Sequence, residues 1–211
     1  MKDEKSKITA VAIEKMIDFY QGNLRDIEHF LKVWAYAKTI GEQESVDENT
    51  QGILELAAVV HDISCPLCRE KYGNTNGKNQ ELESEPLVKE FFEGMPVSEQ
   101  KVERIIWLVT HHHTYTNIDG IDYQILIEAD FLVNASESNF SKVSIENAKS
   151  RIFKTAAGCR LLESIFFSVR IIKSIILENN LWHNQNRMNY TKHCNRKAIR
   201  TAFAGKLLIN R

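Results

Sequence analysis

The sequence predicts an all-α protein, and three observations carry that prediction. Apolar residues recur at helical spacing along nearly the whole chain. Strand-like alternation is hard to find. Only three prolines and nine glycines punctuate 211 residues, so few positions force the backbone out of a helix.

Taken in order, Ile8 to Tyr20 reads as a first helix. Asp26 offers an N-cap for a second, from about Ile27 to Ile40. Asp47 to Thr50 supplies caps for a third that ends near His61. Residues 63–79, ISCPLCREKYGNTNGKN, read as a loop rich in Gly, Asn and basic side chains. A fourth helix spans about Gln80 to Glu93. Ser98, just after Pro96, starts a fifth that runs to His111–His113. Asn117 to Gly120 is a turn, and Asp122 or Tyr123 opens a sixth helix holding Ile125 to Val133. Two more follow, around Ser141–Thr155 and Gly158–Ile176. Past Asn179 the pattern weakens, with a short helix near Ala198–Ile209. The expected organisation is a helical domain over 1–178 and a basic tail or short helical extension over 179–211.

This length suits one domain with a sizeable core. Apolar content of 43% and charged content of 26% are ordinary for a globular protein. The net charge is −1, but it is unevenly spread. Residues 171–211 hold eight Lys or Arg and one acid, Glu178, which leaves 19 basic against 27 acidic side chains in the rest. The tail aromatics Trp182, Tyr190 and Phe203 are sparse and form no motif, so nucleic acid is not an expected partner. No run approaches the roughly 20 apolar residues of a membrane span. The start, MKDEKSK, has no apolar stretch behind it to act as a signal peptide. Four cysteines do not make a disulfide scaffold in a chain of this size. The expectation is a cytoplasmic protein with reduced thiols and no membrane partner, and a homodimer is left open.

Four polar residues sit where the pattern is most apolar. His29 lies among Ile27, Phe30, Leu31, Val33 and Trp34. His61 and Asp62 end the run AAVVHD. Asp130 is set inside ILIEADFLV. Read singly, His29 is a satisfied core histidine and Asp130 a hydrogen-bonded carboxylate. Burying a carboxylate without a partner is expensive, however. Convergence on one ion would explain all four. Two His and two Asp make a mixed N/O set suited to Mn, Fe, Co, Ni or Zn more than to Mg. Neighbours on a helix point about 100° apart, yet at a frayed helix end both can reach one ion.

The order His29, then His61-Asp62, then Asp130 within EADFLVN resembles the H…HD…D signature of the HD-domain superfamily of metal-dependent phosphohydrolases, over roughly residues 25 to 135. The resemblance implies an HD-type helical bundle that holds one or two divalent metals, and a metal-bound water that attacks a phosphoester. On this reading His29, His61, Asp62 and Asp130 bind one tight metal, and Asp62 shares or orients the proton of the water. Histidines between the HD pair and the last Asp serve relatives as second-metal ligands or phosphate contacts. Here that stretch holds His111–His113. His112 continues the inward stripe of Leu108 and Val109 and is expected to act in catalysis. His111, with Arg69 and Lys71, is expected to meet the phosphoryl charge. The substrate implied is a nucleotide or another small phosphorylated metabolite.

The chain departs from the nucleotide-cleaving relatives at one place. Where several carry a catalytic Glu three residues after the Asp of the pair, it has Cys65. HDISC likewise does not match the HDxxED form of relatives that cleave guanosine polyphosphates. Glu128, Glu81, Glu83 and Glu85 are the other candidate carboxylates. Cys65 and Cys68 form a CxxC with no βαβ pattern around it and no second pair for zinc, so two reduced thiols are expected. Two other readings of the same residues are a non-catalytic nucleotide-binding HD sensor and a di-iron oxygenase.

Overall fold

The computed structural model describes residues 2–167, with side chains from Lys7 onward. Among the described residues it contains nine helices and no strand. The chain divides into two units, Met1–Glu163 and Ser164–Arg211, and the architecture that follows is that of the first. The boundary expected near 178 and the helix expected at 198–209 lie outside the described residues, as does the end of the helix expected over 158–176.

The helices are α1 (Lys2–Phe19), α2 (Leu24–Gln43), α3 (Glu48–Val60), α4 (Cys65–Tyr72), α5 (Gly77–Phe92), α6 (Glu99–Val109), α7 (Ile121–Glu137), α8 (Lys142–Arg151) and α9 (Ala156–Phe166). Two of them are apolar on nearly every side and form the centre. Every residue of α3 from Gln51 to Val60 is buried, and so is α7 from Asp122 to Val133. A helix without a polar face must be packed all round. Helix α3 accordingly meets α1, α2, α6 and α7, while α7 meets α2, α3 and α6. None of the described helices is long and apolar enough to cross a membrane.

Local chemistry sets the helix ends and corrects four expectations. The second helix starts earlier than Asp26 because Asn23 is its N-cap and accepts the Asp26 N–H. Asp26 is in the first turn, where a carboxylate suits the helix dipole. Residues 63–79 are not all loop, because α4 occupies Cys65–Tyr72. Pro66 stands in its first turn and Gly73 closes it at φ +69°, with the Gly73 N–H bonded to the Arg69 carbonyl. Ser98 holds the N-cap position of α6 but makes no side-chain capping bond. Helix α6 ends at Val109, so His111–His113 form a turn and not a helix end. Asp47 caps α3 as expected, accepting from the Asn49 and Thr50 N–H groups.

Two polar networks, one at the surface and one buried, fix the elements around the centre. Arg104 on α6 donates to both carboxylate oxygens of Asp119 and both of Asp122, which clamps the turn leading into α7. Glu128, fully buried on α7, accepts from Gln124 Nε2 at 2.7 Å and from the backbone N–H of Lys154 and Thr155 at 2.6 and 2.9 Å. The Thr155 hydroxyl also donates to it. One carboxylate therefore serves the donors at the start of α9. Glu128→Ala would leave those buried N–H groups without an acceptor. It is expected to cost about 2–4 kcal/mol, measured as a shift in urea midpoint at unchanged m.

Candidate metal centre

Each polar residue of the centre is delivered by a different part of the helical frame. His29 is buried on the inner face of α2, beside Phe30 and Val33. Asp130 sits mid-way along buried α7. His61 and Asp62 follow the last residue of α3, in a turn closed by Ile63 N–H to Val60 O and Cys65 N–H to Asp62 O. Leaving the helix there frees the pair from the 100° offset of helical neighbours. The Tyr20 hydroxyl donates to the Asp62 carbonyl at 3.0 Å and holds the turn from α1.

The four side chains meet. His29 Nε2 lies 3.2 Å from His61 Nε2, 3.4 Å from Asp130 Oδ1 and 3.5 Å from Asp62 Oδ2. His61 Nε2 lies 3.5 Å from Asp130 Oδ1 and 3.8 Å from Asp62 Oδ2. Ligands at ~2.1 Å from a common ion stand roughly 3.0–3.4 Å apart, so these atoms need to move little to share one. Their protonation fits the same use. His61 Nδ1–H donates to the Ala58 carbonyl at 2.8 Å, which leaves Nε2 with its lone pair. His29 Nδ1 faces the Glu137 carboxylate at 3.0 Å, a partner that orients the ring and strengthens Nε2 as a donor to metal. Asn134 donates to Asp130 Oδ1 at 2.8 Å. With His61 Nε2 unprotonated, the short approach of the two rings needs a cation between them, either a proton on His29 Nε2 or a metal ion in its place.

A second group adjoins the first. Asp62 turns its other oxygen, Oδ1, toward His112 Nε2 at 3.5 Å. His112 is fully buried, and its Nδ1–H is used by the Val109 carbonyl at 2.7 Å. The His113 ring lies 3.9 Å from that of His112, centroid to centroid. The Nε2 atoms of His112 and His113 are both buried without a hydrogen-bond partner. Ligand atoms of Asp62, His112 and His113 lie within 4.8 Å of one another, as do those of His29, His61 and Asp130. A buried nitrogen with no partner is costly, and a cation satisfies it. The residues present therefore fit a divalent metal at the first group and offer a second position at the next.

The field of the site suits cations. Burial lowers the proton affinity of His29, but its bond to Asp130 and the charges of Asp62, Asp130 and Glu137 outweigh that and hold it at about 9. Burial opposes ionisation of Asp62, yet His61, His112 and His29 keep it below the usual carboxylate range. Asp130 is held down in the same way by His29 and His61. Burial and the neighbouring His112 charge lower His113 to about 4, which keeps its nitrogen free. The Asp62 side chain keeps 19% of its surface exposed, against 3% for Asp130 and none for His61 and His112, so solvent reaches the site on the Asp62 side.

The other expected site residues fall elsewhere. His111 stacks on Trp107 at 3.8 Å and bonds through Nδ1 to the Trp107 carbonyl, so it does not join the carboxylates. The chain leaves the helix at Thr110. His113, not His111, turns inward. Lys71 pairs with Glu83. Arg69 pairs with Asp26, in a corner where Tyr20 and Cys65 feel both its charge and that of Asp62. Of the candidate carboxylates, Glu128 anchors α9, Glu83 holds Lys71 and Tyr72, Glu85 pairs with Lys89, and Glu81 accepts from His113 N–H. The Cys65 thiol is pushed far up by burial and by Asp62, and donates to Gln80 Oε1, so it is neither thiolate nor ligand. Glu137, Asn134 and Tyr20 went unseen in the sequence. Asn134 and Glu137 follow Asp130 at i+4 and i+7 on one helix face, which was the available signal.

No curated protein matches the chain. Among solved structures, a predicted HD superfamily hydrolase from an uncultured Thermotogales bacterium is similar in fold, with a TM-score of 0.53 and 20% identity, covering 82% of this chain and 91% of that one. A family model described as the HD domain matches residues 26–139, a span that takes in every residue of both donor groups. HD domains bind divalent metals, which is the chemistry these donors fit. With more than half of its residues matched, the chain belongs to the HD-domain family.

Proposed function

We propose that the protein is a metal-dependent phosphohydrolase that cleaves a phosphoester of a nucleotide or another small phosphorylated metabolite. The observation that carries the reading is the shared Asp62 carboxylate. Its Oδ2 stands 3.5 and 3.8 Å from the Nε2 atoms of His29 and His61, and its Oδ1 stands 3.5 Å from His112 Nε2. His29, His61, Asp130 and Asp62 would hold a first metal. His112, His113 and Asp62 would hold a second, one more than the sequence led us to expect. The imidazole and carboxylate donors favour Mn, Fe, Co, Ni or Zn over Mg. Metal bound there lowers the pKa of water toward neutrality and offsets charge on phosphoryl oxygens. Asp62, the ligand most open to solvent, would orient the attacking water. Arg69, half-exposed beside this opening, can turn from Asp26 to an anionic substrate and bind it through two N–H groups.

The competing reading, a non-catalytic nucleotide-binding sensor, has one observation behind it. The position three residues after Asp62 holds a neutral buried thiol, and Glu81, Glu83 and Glu128 are engaged elsewhere. Elemental analysis and a phosphoester panel, run side by side on wild type and His61→Ala/Asp62→Ala, separate the two. The expected result is transition metal and turnover in wild type, with both lost in the double variant. Asp62→Asn is expected to lower kcat by at least about 10³-fold. Metal retained by wild type with no phosphoester turned over would favour the sensor.

Glu137→Gln weakens the carboxylate behind His29. It is expected to lower metal affinity by about 10–100-fold, read by competition with a chelating dye. Arg69→Ala is expected to raise KM about tenfold with kcat nearly unchanged, the loss of one charge-assisted bond to substrate. Lys71→Ala should leave both constants alone.

A further inference from the structure

We infer that α5 acts as a spacer for the centre, with Glu81 and Gly77 as positioning residues that hold the histidine turn at the distance from Asp62 that a second metal requires. The inference rests on the two-metal reading above. The turn needs an external support because α6 has ended at Val109 before it begins. Glu81 Oε1 accepts from the His113 N–H at 3.2 Å and from the Thr114 hydroxyl at 3.1 Å. Gly77 lies one helical turn earlier on the same face of α5. A Cβ added there would come within 2.7–2.9 Å of His113 Cγ, Cδ2 and Cβ. The His113 ring thus packs against bare backbone, a place that only glycine leaves open. The buried Nε2 of the ring has no hydrogen-bond partner among the described residues.

The neighbouring positions of α5 grip the other side of the site. The Gln80 carbonyl accepts from Ser64 Oγ at 3.2 Å, and Gln80 Oε1 accepts from Cys65 Sγ at 3.3 Å. Ser84 Oγ donates to Ser64 Oγ at 3.0 Å. Ser64 and Cys65 stand two and three residues after Asp62. One helix is therefore fastened both to the turn that carries Asp62 and to the turn that carries His112 and His113. Among the described hydrogen bonds Glu81 reaches only the histidine turn, so His29, His61 and Asp130 do not depend on it.

The test is Mn²⁺ and Co²⁺ binding to the full chain, by titration calorimetry and by the cobalt visible spectrum. The variants are Glu81→Ala, Gly77→Ala, Glu81→Gln and His113→Ala. Wild type is expected to take two equivalents. Glu81→Ala and Gly77→Ala are expected to weaken the second about 10–100-fold and leave the first within twofold, so that retention of the first reports an intact fold. Glu81→Gln keeps an acceptor oxygen and should restore the second. If Glu81→Ala and Gly77→Ala bind both equivalents like wild type while His113→Ala loses one, the spacer role is overturned and the two-metal reading stands. Loss of both equivalents together in these variants would also overturn it. If wild type and His113→Ala bind equally, the two-metal reading fails and the inference fails with it.

Discussion

Two carboxylates, Asp62 and Asp130, are committed to a helical interior, and the rest of the molecule is arranged around the cost of that commitment. An ionised carboxylate away from water needs partners close by. The chain supplies imidazoles from α2, from the turn after α3 and from the turn after α6. Helices α2, α3 and α7, which position His29, the His61-Asp62 pair and Asp130, pack on one another. His29, His61 and His112 are each fixed by the far nitrogen, on Glu137, the Ala58 carbonyl and the Val109 carbonyl. Their Nε2 atoms thus point inward, a preorganisation that spares the site rearrangement when a cation arrives.

Much of this was legible in the sequence, and the reasons differ by residue. His29, His61, Asp62 and Asp130 stood out because each interrupts an apolar run, and an interruption inside a core demands an explanation. The helices were legible because few prolines and glycines break the period. The helix α4 was missed although Pro66 and Gly73 bracket it, because the Gly and Asn residues just beyond it made the whole stretch look like loop. His111 entered the expected site through the family resemblance, although stepping by three and four from Val109 already set it to the side and put His113 at i+4. Where a side chain points after a helix ends depends on what catches the turn, here Glu81 and Gly77 from 32 or more residues away. Such long-range contacts leave no periodic trace.

The division of labour between the two donor groups follows from the same geometry. His29, His61 and Asp130 stand on the central helices and are as rigid as the core. His112 and His113 stand on a turn. On the two-metal reading proposed above, a ligand set split between a core and a turn would give one position of high affinity and one that responds to its surroundings, with Asp62 belonging to both.

Glu128 has a bearing on where this molecule can be cut. The family match runs from residue 26 to 139, but the contacts that complete the core do not respect those limits. Tyr20 lies before the first and reaches the Asp62 carbonyl. Lys154 and Thr155 lie beyond the second and fill the oxygens of Glu128, two residues from Asp130 on the same helix. A fragment trimmed to the matched span would expose an unpaired carboxylate beside Asp130 and release the turn that carries Asp62. The smallest self-sufficient piece must therefore run from α1 into α9, wider at both ends than the signature that identifies it.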